Sequence, residues 1–78
     1  GKANFSLKAT IPVNSHARIS IPKVDLHDVT VEESDRLLWD KGNYVGGIPG
    51  ITDGIEEAEY VTFNTGSGTY IFVLRGTP

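Results

Sequence analysis

The sequence predicts an all-β fold, a small antiparallel two-layer β-sandwich of about seven short strands. Three observations carry that prediction. Apolar residues alternate with polar ones from Phe5 to Val13 and again from Ala17 to Ile21. Glycine, proline and asparagine punctuate the chain at short intervals. No segment shows helical spacing with caps; Ile55 to Tyr60 holds one turn at most.

Taken in order, Phe5, Leu7, Ala9, Ile11 and Val13 are apolar, with Asn4, Ser6, Lys8 and Thr10 between them. That is the signature of a strand with one buried and one wet face. Ala17, Ile19 and Ile21 repeat it around Arg18 and Ser20, and Asn14-Ser15-His16 reads as the turn. The two runs are expected to pair with each other. Pro12 and Pro22 close them, because proline cannot donate to a ladder and blunts a strand where it sits. Val29-Thr30-Val31 is a short strand. Leu37-Leu38-Trp39 and Tyr44-Val45 flank a hairpin turn at Asp40-Lys41-Gly42-Asn43. Residues 46–54, with four glycines and a proline, read as an irregular loop. Glu59–Asn64 and Thr69–Arg75 are the last strands, with Thr65-Gly66-Ser67-Gly68 as a hairpin turn between them. The final strand is apolar on both faces, Tyr70, Phe72 and Leu74 on one and Ile71 and Val73 on the other. It is expected to be central, or to meet another domain with its outer face.

Seventy-eight residues form a single domain at most, and a chain of this size hides only about 60% of its unfolded surface. There is no cysteine, hence no disulfide or thiolate zinc site, and the net charge of −3 speaks against a nucleic-acid module. No apolar run approaches the ~20 residues a membrane helix needs. The chain has no methionine and opens directly on the strand pattern at Asn4–Leu7. Residues 1–78 are therefore expected to be one accessory domain excised from a longer multidomain chain.

The chemistry-bearing residues are sparse. All ten acidic residues fall between Asp25 and Glu59, with Glu32, Glu33 and Asp35 clustered, and they read as a solvated face. Acid–base work on a glycosidic bond would need a carboxyl with raised pKa in a water-poor pocket, which a domain this thin hardly builds. His16 and His27 lack metal-ligand spacing, and neither accompanies a recognisable nucleophile. No catalytic, cofactor-binding or metal-ligating residue is expected. Gly66-Ser67-Gly68 precedes a strand, not a helix whose N-terminus could hold phosphate. Trp39 and Tyr44, in a hairpin beside the glycine-rich stretch, are the candidates for sugar stacking or for interdomain contact.

Taken together, Ile11-Pro12-Val13-Asn14 leading through Ala17 to Ile21-Pro22, and NTGSGTYIF at residues 64–72, form a pattern. The middle adds Val31-Glu32-Glu33-Ser34, Trp39, Gly42, Tyr44, Gly47 and Gly50-Ile51-Thr52. In these residues the chain resembles the C-terminal β-sandwich domain of bacterial α-L-rhamnosidases, a family of glycoside hydrolases. It departs from them at Glu33-Ser34-Asp35, where a glycine is expected soon after the serine. The resemblance implies a parent enzyme that releases terminal α-L-rhamnose through acidic residues of a preceding (α/α)6 barrel. None of that barrel is in this sequence, so no catalytic residue carries over. The implied role is a non-catalytic cap whose partner is the catalytic domain of the same parent chain. A carbohydrate-binding module using Trp39 and Tyr44 is the alternative. The first role expects Trp39 buried or within an apolar patch; the second expects its ring exposed in a shallow polar groove.

Overall fold

The computed structural model describes residues 3–78 and is built from eight strands, with no helix among them. These are β1 (Ala3–Ile11), β2 (Ala17–Pro22), β3 (His27–Glu33), β4 (Arg36–Asp40), β5 (Asn43–Tyr44), β6 (Ile51–Glu56), β7 (Tyr60–Thr65) and β8 (Gly68–Thr77). They form two antiparallel sheets, a five-stranded one in the order β1-β8-β3-β4-β5 and a three-stranded one in the order β2-β7-β6. The expected small β-sandwich is what the chain adopts.

The inward faces follow the alternation in the sequence. In the larger sheet Phe5 lies opposite Leu74, Leu7 opposite Phe72 and Ala9 opposite Tyr70, while Val31 faces Leu74 from the other side. The smaller sheet contributes Ile19 opposite Phe63 and Ile21 opposite Val61. Residues paired directly across strands share a face, so these rows meet between the layers as one core. Phe63 and Phe72 stack there with ring centroids 5.9 Å apart.

Two pairings differ from expectation. The runs β1 and β2 do not pair with each other; β1 pairs with β8 and β2 with β7, in opposite sheets. The segment between them carries the chain from one layer to the other, turning where Ser15 N–H donates to the Pro12 carbonyl at 3.1 Å and Asn14 adopts φ 63°. Period two identifies a strand and its buried face but not its neighbour. The Thr65–Gly68 connection is likewise no hairpin, since β7 and β8 belong to different sheets. Pro12 and Pro22 still stand at strand boundaries, Pro12 just past edge strand β1 and Pro22 closing edge strand β2.

Residues 46–54 are not wholly irregular either, because β6 begins at Ile51. Gly54 lies in that strand opposite Phe63. A Cβ there would sit 2.6 Å from the Phe63 ring, so the glycine makes room for the aromatic core. Ile55–Tyr60, which has room for one helical turn at most, forms the β6–β7 hairpin, closed by Glu57 N–H donating to the Tyr60 carbonyl. Strands β3 and β4 meet at the two-residue turn Ser34-Asp35, with φ of 48° and 67°. A hairpin of this length asks for paired positive φ values. Asp35 thus occupies the backbone conformation that glycine takes most easily, and aspartate is among the side chains that tolerate it.

Candidate functional site

Trp39 lies on β4, next to an irregularity in the β3–β4 register between Val31 and Glu32. The extra residue on β4 lets both Leu38 and Trp39 turn inward, at 0% and 5% exposure. The indole meets Phe63 edge to face at 6.3 Å, and its Nε1–H donates to Glu56 Oε1 at 3.2 Å. Lys23 pairs with the same carboxylate. Since Trp39 belongs to the larger sheet and Glu56 to the smaller, this bond fastens one layer to the other.

Tyr44 makes a second fastening. It is half-buried on β5, and its hydroxyl donates to the Ile51 carbonyl on β6 at 3.3 Å. Burial pushes its pKa above the usual tyrosine value, and the nearby Asp53 carboxylate adds to the rise. The sequence brackets Trp39 and Tyr44 together correctly as neighbours, for they face each other across β4 and β5. Their exposure differs, Trp39 being buried and Tyr44 half-buried. The Trp39 ring is 5% exposed and packs within this chain's own core.

The acidic cluster separates into three roles. Glu32 pairs with Arg75 at 2.8 Å on the outer face of the larger sheet. Asp35 is exposed in its turn. Glu33 is buried at 6% exposure, which a solvated acidic face does not anticipate. Its Oε2 accepts hydrogen bonds from Ser34 Oγ and, at 3.1 Å, from the Ile71 backbone N–H. A carboxylate accepting a main-chain amide continues the β3–β8 ladder one step past Glu33, the last paired residue of β3. Its position on the inward face, opposite Phe72, follows the alternation from Val29 and Val31, and that alternation is the signal in the sequence for its burial.

The histidines line different clefts. His27 borders a cleft of about 490 Å³ at one end of the sandwich with Lys23, Asp25, Glu56 and Tyr60; His16 borders one of about 440 Å³ with Arg18, Thr52 and Asn64. Among the described residues, no three His, Asp or Glu side chains converge in a metal-holding arrangement.

Tyr70 supplies the joint at the opposite crossing between layers. Its buried hydroxyl reaches the carbonyls of Gly66 and Ser67 at 2.9 and 3.2 Å, and Gly66 N–H donates to the Gly50 carbonyl at 2.7 Å. Gly50 has φ 88°, and a Cβ on it would fall 2.2 Å from the Tyr70 hydroxyl. The GSGTY stretch is therefore a mechanical part of the fold.

The outer face of the larger sheet carries exposed aliphatic side chains as well. Central strand β8 presents Ile71, 46% exposed, and half-buried Val73 on that side. The pairings place Leu37, Glu32, Val73 and Ser6 in one row and Ile71 beside Lys8 in the next. Leu37 is 41% exposed. Two exposed aliphatic side chains and a third partly covered one thus lie on a polar-rimmed face at mid-sheet. No family model, curated protein or solved structure matches the chain.

Proposed function

We propose that this chain is a non-catalytic accessory domain of an α-L-rhamnosidase-like glycoside hydrolase, a C-terminal β-sandwich that packs on and stabilises the catalytic (α/α)6 barrel. The observation that carries the reading is the apolar outer side of β8. An interior strand of a sheet with one face in water ordinarily alternates apolar and polar residues. β8 instead shows Ile71 and Val73 outward, with Leu37 two strands away. The residues that carry the family resemblance support the same role. Trp39, Tyr44, Gly50 and Tyr70 hold the two layers together, as expected of a motif that encodes a scaffold.

The test mixes this chain with an α-L-rhamnosidase catalytic barrel stripped of its own C-terminal sandwich, and reads association by calorimetry and the thermal midpoint of the barrel. Binding is expected, with a rise in that midpoint. Ile71→Lys and Leu37→Lys should abolish both while leaving the fold of the isolated chain intact. No association, or association indifferent to both substitutions, would sink the proposal.

A further inference from the structure

We propose that β1 is the seam of a symmetric homodimer, in which two copies join edge to edge into a continuous ten-stranded sheet. Among the described residues β1 pairs only with β8, so its other side presents unpaired main-chain donors and acceptors along nine residues. Proteins normally blunt such an edge with proline, charge, bulges or brevity. The other three edges of this sandwich are blunted in those ways. β5 is two residues long, β2 ends in Pro22, and β6 carries a register irregularity between Ile51 and Asp53. β1 runs in unbroken register from Ala3 to Ile11, with no proline inside it and Lys8 as its one charge.

The sequence of β1 also fits a second copy of itself. Full overlap of two antiparallel β1 strands places the two-fold axis at Leu7, midway between Ala3 and Ile11. Leu7 then faces its symmetry mate, Phe5 faces Ala9 and Ile11 faces Ala3. Phe5, Leu7, Ala9 and Ile11 belong to the inward-facing set, so the two cores lie on the same side of the joined sheet. Phe5, Leu7, Ala9 and Ile11 are each half-buried against the core, and pairing covers the part of them still open at the edge. On the outer side Ser6 faces Lys8, and Asn4 faces Thr10. A seam shifted by one residue to put the axis at Lys8 would instead set the two lysines directly opposite each other, which is unfavourable. The longest overlap is thus also free of like-charge contact. An isologous contact of this kind closes at two copies.

Sedimentation equilibrium over micromolar to millimolar concentrations tests this, with circular dichroism to verify that each variant folds. The native chain is expected to approach twice its monomer mass. Ser6 is exposed and outward, so Ser6→Lys leaves the core alone. It sets two symmetric Lys–Lys contacts across the seam and should weaken dimerisation about tenfold. Adding Lys8→Glu converts both contacts into Lys–Glu pairs and should restore it. A chain that stays monomeric to millimolar concentration overturns the proposal. So does a dimer unmoved by Ser6→Lys, which would join through another surface, or a failure of the charge swap to rescue.

Discussion

The contact between Tyr70 and Gly50 can be taken apart by substitution. Tyr70→Phe deletes a buried hydroxyl whose single proton is shared between the Gly66 and Ser67 carbonyls. The expected loss is about 1–2 kcal/mol, or roughly 5–15 °C in midpoint for a domain of this size. Gly50→Ala first forces alanine to a backbone conformation with φ 88°, which costs about 1–2 kcal/mol. It also drives a methyl into the hydroxyl at 2.2 Å, so the tyrosine must move and forfeit its hydrogen bonds. The total comes to about 3 kcal/mol. In the double variant the hydroxyl is gone and the nearest ring atoms stand at 3.2 and 3.3 Å, tight but accommodated. The pair should therefore cost about as much as Gly50→Ala alone, leaving a coupling of roughly 1–2 kcal/mol. Urea unfolding followed by the fluorescence of Trp39, the sole tryptophan, measures all four corners of the cycle. Losses that add within about 0.5 kcal/mol would refute the idea that hydroxyl and glycine occupy one shared space.

Three further outcomes follow from the same geometry. Rhamnose or rhamnose-bearing oligosaccharides should leave Trp39 emission unchanged, since the ring has no solvent face; a saturable shift abolished by a distant surface variant would contradict this. Glu33→Ala should destabilise the chain by about 1–3 kcal/mol by leaving the Ile71 amide without its acceptor, with faster hydrogen exchange at that amide as the local readout. The folded-state pKa of Tyr44 lies above its unfolded value, so its contribution to stability is whole below about pH 10 and is lost as pH rises through the folded value. Wild type should accordingly lose stability more steeply than Tyr44→Phe across alkaline pH, and parallel curves in denaturant titrations would count against it.

The strands themselves were legible because each buries one face and alternation reports burial directly. Partners were not, because nothing in the pattern of β1 distinguishes β8 from β2 as a neighbour. The error at 65–68 has the same origin: a glycine-rich turn looks alike whether it reverses within a sheet or crosses between two. Gly54 hid β6, since a glycine that yields space to Phe63 reads locally as a loop residue. The aromatic pair Trp39–Tyr44 was visible as a unit, but the sense in which Trp39 faces depends on one extra residue in β4. Glu33 was masked by the two acids beside it, although its parity with Val29 and Val31 marked it as inward. The two-sided composition of β8 pointed to a central strand or to one whose outer face meets another domain, and β8 is an interior strand flanked by β1 and β3.

That central place has a consequence for how the molecule comes to be folded. Among the described residues β8 comes after the seven other strands, yet it is the only link between β1 and the rest of its sheet, with Ala3 paired to Gly76. A chain interrupted after Ser67 still holds the partners for β2-β7-β6 and for β3-β4-β5, but β1 has nothing to bond. Assembly must then wait on the closure of the longest loop the sequence allows, so refolding belongs on the order of milliseconds to seconds, unlike the microseconds of a locally wired fold. Until that closure the open edge of β1 is unpaired on both sides, and the interval is when a chaperone, or another copy of the chain, has its opportunity to capture it.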